Sequence, residues 1–166
     1  MDADAKKTAL RMIPYGLYVL TAEKDGEIAA ATVNWVPQTS FDPPLVAIGV
    51  KADSGAHEIV KNAGSFALNI LGKGQQGPAF TFFKPVEKDG NKINGEAYTA
   101  GSTGAPVLES VPAYIECSLE QTVENGDHSV FIGKVVNAVV QKQPEGRADA
   151  ATLLMGDLGE KVFYGG

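Results

Sequence analysis

Apolar residues recur along the chain in short runs, most of them alternating with polar positions, and Gly, Asn, Asp and Pro fill the gaps between runs. Val, Ile, Thr and aromatic residues concentrate in these runs, which is the pattern of an antiparallel β protein. Residues 16–22 and 27–34 flank Lys24-Asp25-Gly26, and Asp-Gly between two β-like runs predicts a tight hairpin. Residues 45–51 read as a buried strand. Over 113–123, Ala113, Ile115, Cys117 and Leu119 alternate with Tyr114, Glu116, Ser118 and Glu120, predicting one buried and one polar face. Asn125-Gly126 then turns the chain into 129–140, a second hairpin.

Helix signals are fewer. Asp53-Ser54 offers candidate N-caps, the run 57–62 puts Ile59 and Val60 on one side, and Gly64 supplies a C-terminal stop. Pro78 suits the first turn of a short helix through residue 83, and 148–154 reads as a third. Many short antiparallel strands with helices at their ends predict a closed or partly closed barrel, because closure removes exposed sheet edges. The polar stretch 141–149 reads as a loop, not a domain linker.

A length of 166 residues suits one domain spanning 1–166, and 44% hydrophobic with 20% charged residues is an ordinary globular composition. No apolar run approaches the roughly 20 residues of a membrane-spanning helix. Residues 1–11 are charged and lack a signal-peptide pattern, so a cytoplasmic protein is expected. A formal charge of −6 argues against nucleic acid as a partner, since phosphate binding draws on Lys and Arg. The single cysteine, Cys117, allows no internal disulfide and no cysteine-rich metal site. Its place on the apolar side of an alternating strand predicts a buried, unreactive thiol.

The Gly-rich dinucleotide and phosphate-loop motifs are absent, and His57, His128 and Cys117 show no metal-ligand spacing. The loop 34–44 holds amides, hydroxyls and the only tryptophan, Trp35. Two readings stay open on composition: a pocket for a polar planar ligand, or a surface loop in which Trp35 anchors the core. Ser54 at a helix start could hold an anion, cap the helix, or do both.

The run Ala31-Thr-Val-Asn-Trp-Val-Pro-Gln-Thr-Ser-Phe-Asp-Pro-Pro-Leu-Val46 is followed by Lys51-Ala-Asp-Ser54 and then Gly64-Ser-Phe-Ala-Leu-Asn69-Ile-Leu71. Gly126-Asp-His128 and Gly133-Lys-Val135 come later. In order and spacing these pieces resemble the flavin reductase-like family of FMN-binding proteins over residues 14–166. The resemblance implies a mainly β, Greek-key split β-barrel with a few short peripheral helices, a homodimer, and FMN near the dimer interface. It assigns ring contacts to Thr32, Asn34 and Trp35, a cofactor contact to Val33, backbone contacts to Val36, and ribityl and phosphate contacts to Ser40, Lys51 and Ser54. Lys92 matches a lysine that precedes an aromatic residue in the family, but Ile93 follows it here, and Lys84 competes for the role. His128 is implied to be the catalytic residue beside flavin and nicotinamide, Phe163 packs near the flavin, and His57 is expected to be an exposed bystander.

The implied activity is reduction of FMN by NADH or NADPH, with electrons passed to a redox partner protein, an oxygenase or ferric iron. The alternative is a non-enzymatic FMN electron carrier. Haem or pyridoxal phosphate fits the Trp35 loop and the Ser54 helix start less well.

Overall fold

The computed structural model describes residues 1–166 as a mainly β protein. The chain starts with helix α1 (Ala3–Arg11), capped by Asp2, whose carboxylate accepts from the Ala5 N–H at 2.6 Å. No residue of α1 is buried, and residues 1–11 read only as a charged segment, so this helix was not expected. Strands β1 (Tyr18–Lys24) and β2 (Glu27–Val33) form the expected hairpin, with Asp25 and Gly26 both at positive φ in the turn. Each boundary lies within two residues of the predicted one.

The main sheet has the order β2-β1-β5-β10-β11-β4-β3. Its remaining members are β3 (Gln38–Ser40), β4 (Leu45–Lys51), β5 (Ser65–Ile70), β10 (Ala113–Glu124) and β11 (His128–Val140). The two edge strands, β2 and β3, belong to one run of chain. Beyond β2 the chain bends at Asn34 and lies along β4, where the Trp35 and Pro37 carbonyls accept from the Gly49 and Ala47 N–H groups. The sheet thereby curls with its opposite edges joined covalently at residues 33–35. The loop predicted for 34–44 is thus in part a strand, because its backbone finds partners on β4.

Inside the curl, Leu20, Ile48, Phe66, Leu68 and Phe131 pack with Val60 of helix α2 (Gly55–Ala63). Burying each such side chain contributes about 1.5–3 kcal/mol. Gly133 lies against Phe66 and Cys117, so a Cβ there would meet the Phe66 ring. A second core lies on the outer face. Leu17, Val19 and Leu71 meet Ala79 of α3 (Gln76–Thr81), Phe82, and a small sheet, β6 (Lys88–Asp89), β7 (Lys92–Ile93), β8 (Glu96–Ala100) and β9 (Pro106–Leu108). Sequence reading missed this sheet because its strands are two to five residues long. The helix expected at 78–83 begins two residues earlier, and 148–154 resolves into a 3-10 turn at Ala148–Ala151 with another at Met155–Leu158.

The second layer overturns one expectation about β10. Glu116, predicted on its polar face, is fully buried, and bulges interrupt the strand's register after it. Its carboxylate accepts from the Thr103 N–H and hydroxyl, the Ser102 hydroxyl and the Asn137 amide at 2.7–2.8 Å. Burial pushes this carboxyl up, but the four donors outweigh it and hold its pKa at about 2. Glu116 therefore pins the β8–β9 loop onto the main sheet. Cys117 is buried as expected, its thiol pushed up to about 12 by burial and by the Glu116 charge. No helix is long and apolar enough to cross a membrane.

Candidate functional site

Three segments converge where β11 begins. Lys51, at the end of β4, is the register partner of His128 at the start of β11, and the Ala52 N–H donates to the Asp127 carbonyl. The bend after β2 brings in Asn34 and Trp35, and the segment Val162–Gly166 crosses above them. Trp35 lies over Gly49, where a Cβ would stand 2.8 Å from the indole; only glycine admits the ring this close. Its ring centroid is 4.7 Å from that of His128 and 5.5 Å from that of Tyr164.

Asn34 is buried and donates from Nδ2 to the Tyr164 carbonyl at 3.1 Å. His128 Nδ1 faces the Asp127 carboxylate at 2.9 Å, and Nε2 faces the Tyr164 hydroxyl at 2.8 Å. The hydrogen bond to His128, and then its charge, lower the Asp127 pKa from its ordinary value. Burial raises that of the Tyr164 phenol. Together Leu10, Tyr15, Trp35, His128, Tyr164 and the two following glycines line a cleft of about 600 Å³, within the range of small-molecule sites. The Trp35 indole N–H is the one buried side-chain polar atom without a hydrogen-bond partner.

At the other end of the site, Ser54 caps α2. Its hydroxyl accepts from the His57 N–H at 3.2 Å and donates to the Lys51 carbonyl at 2.7 Å. The helix dipole and the Gly55 and Ala56 N–H groups ahead of the ladder make this end attractive to an anion. Lys51 stands beside it, exposed and 3.0 Å from Asp53, whose hydrogen bond and charge raise the lysine pKa.

The structure thus brings together Asn34, Trp35, Lys51, Ser54 and His128. Val33 and Val36 are half-buried against the inner core. Thr32 turns toward α3, its hydroxyl donating to the Ala79 carbonyl at 2.7 Å and its N–H to the Phe82 carbonyl. Ser40 ends β3, paired with Leu45. Lys92 is exposed on β7 in the small sheet and Lys84 is exposed after α3; neither lines the cleft. Phe163 is half-exposed under the Arg11 guanidinium, 4.2 Å away, and its neighbour Tyr164 takes the place beside Trp35.

His57 corrects the sequence reading: it is 7% exposed and its Nε2 lies 2.8 Å from the Ser129 hydroxyl. The N-terminal turn of α2 folds onto β11 and covers it. The pairing of Asp127 with His128 was open to sequence reasoning as a structural turn, but Tyr164 was missed as the second partner of His128. Asp127 was visible as its neighbour, whereas Tyr164, 36 residues on, gave no local signal.

A family model for the flavin reductase like domain matches residues 10–158. The high molecular weight rubredoxin of Moorella thermoacetica is 35% identical over 82% of this chain and 61% of that protein. The chain spans 42% and 25% of two other curated relatives. The NADH-dependent flavin reductase StyB of Pseudomonas fluorescens is 33% identical over 81% of this chain and 77% of its own length. A similar solved structure is the Streptomyces globisporus NADH:FAD oxidoreductase in complex with NAD and FAD fragments. It has a TM-score of 0.67 and 30% identity, covering 77% of this chain and 76% of that one.

Proposed function

The chain belongs to the flavin reductase-like domain family, and on that premise we propose that it is an FMN-binding oxidoreductase that reduces flavin with NADH or NADPH. The observation that carries this reading is the pairing of an aromatic cleft at Trp35 and His128 with the start of α2 at Ser54, beside which stands Lys51 in its ion pair with Asp53. A flavin mononucleotide has those two needs, an apolar planar ring and a terminal phosphate. The unpaired Trp35 N–H suits a ligand carbonyl oxygen.

Asn34, Trp35 and Val36 hold the ring end, with Thr32 and Val33 supporting them from β2. Lys51 and the first turn of α2 hold the phosphate, whereas Ser40, paired with Leu45 at the far end of β4, lies on the other side of Trp35 and does not reach it. Because the Ser54 hydroxyl is already committed to Lys51 and His57, its role is to shape the helix start. When bound, the flavin supplies the two-electron chemistry, accepting hydride from a nicotinamide. His128 orients what enters the cleft and offers a proton donor or acceptor at the rim.

Electrons leave to a partner protein, an oxygenase or ferric iron. Dimerisation is supported by the exposed valines 123, 130, 136 and 140 along β10 and β11, each 40–53% exposed.

Fluorescence titration with FMN and with riboflavin tests the phosphate end. The wild type is expected to bind FMN at least about fivefold more tightly, the gain of one charge-assisted contact. Lys51→Ala should abolish most of that preference. Equal affinity of the wild type for both ligands would contradict the assignment.

A further inference from the structure

Tyr164 carries an arrangement that the flavin reading leaves unused. Its carbonyl and its hydroxyl are both tied to residues of the site: the carbonyl accepts from Asn34, and the hydroxyl meets His128 Nε2. Arg11 reinforces the segment from outside, with Nε donating to the Gly165 carbonyl at 3.3 Å and the guanidinium over Phe163. The partners also fix the state of the neutral imidazole. The Asp127 carboxylate only accepts, so Nδ1 carries the proton, and Nε2 accepts from the phenol. In this closed arrangement the Trp35 N–H lies beneath Gly165 and remains unpaired, a cost that a ligand oxygen can remove.

We infer that Tyr164 is a displaceable positioning residue: its hydroxyl holds His128 in one tautomer with Nε2 masked, and a ligand entering the cleft takes the hydroxyl's place. The segment around it then moves aside as Trp35 gains its missing acceptor. The identity of the ligand rests on the flavin reading, whereas the positioning of His128 does not.

Nitrogen NMR of the histidine rings in ligand-free protein tests the positioning directly. The wild type should show protonated Nδ1 and hydrogen-bonded, unprotonated Nε2 at His128. Tyr164→Phe, which keeps the aromatic packing, should raise the Nε2–H tautomer several-fold; Asp127→Asn should also disturb the assignment. An unchanged tautomer ratio in Tyr164→Phe overturns the inference. In FMN titrations Tyr164→Phe should bind about three- to tenfold more tightly, since one competing hydrogen bond is gone. Equal or weaker binding by a variant of unchanged melting temperature overturns the displacement. A wild type that binds no FMN, with the tautomer shift present in the variant, refutes the flavin reading and supports the positioning role.

Discussion

Glu116→Ala is expected to lose about 3 kcal/mol of stability, because the change strands buried donors that now share one carboxylate. Ser102, Thr103 and Asn137 all point at that group, and none has another acceptor as close. The loop between β8 and β9 would then detach from β10. Glu116→Gln keeps the volume but turns an amide N–H₂ toward donors, so it should recover only part of the loss. The pH dependence has a definite sign. Since the folded-state pKa is depressed to about 2 from an ordinary 4.5, the contribution is complete above that ordinary value and is lost as pH falls toward 2. Denaturant unfolding of wild type and Glu116→Gln over that interval should show the stability gap closing on acidification. A gap below about 1 kcal/mol at neutral pH would show that the four contacts contribute little.

Trp35→Ala is expected to weaken FMN binding by at least about tenfold, roughly 1.4 kcal/mol, through loss of the aromatic wall and the orphan N–H. The residue's position depends on Gly49, so the same wall can be removed from beneath. Gly49→Val should displace the indole and weaken binding in parallel, whereas Trp35→Phe, which keeps an aromatic wall but lacks the N–H, should recover only part of the affinity. Isothermal calorimetry at matched thermal stability measures all three. Undiminished affinity in Trp35→Ala would move the flavin away from this cleft.

Much of the architecture was legible in the chain because local signals agreed with the fold. Asp25-Gly26 and Asn125-Gly126 marked their hairpins, and Ser54 with Gly64 bounded α2. Strand β4 reads as buried in the sequence, and its burial in fact alternates, with Val46, Ile48 and Val50 buried and the positions between them half-buried. Misreadings arose where tertiary context decided. Glu116 sits on the polar side of an alternating strand, yet a second layer of short strands covers it. His57 lies on a helix face that only the docking of α2 against Ser129 buries. Helix α1 is amphipathic but short and buries no residue, so its pattern has no core to anchor it.

The candidate site divides along the same line. Trp35, Lys51 and Ser54 lie within 20 residues of one another, so a composition anomaly and a helix start exposed them. Asp127 and His128 come from the start of β11, adjacent to β4 in the sheet but far along the chain, and Tyr164 from the segment after it. Their meeting is a consequence of the β4–β11 register, which no local pattern encodes. Lys92 followed the spacing of the family pattern, but the small sheet carries it away from the cleft.

The activity proposed for this chain is reduction of flavin by a nicotinamide nucleotide at the Trp35–His128 cleft. Anaerobic mixing of the FMN-loaded protein with NADH, and separately with NADPH, tests it most directly. The visible flavin band is expected to bleach within one turnover with at least one of the two, and far more slowly in Trp35→Ala. A loaded protein that stays yellow with both nucleotides would contradict it and leave an electron carrier.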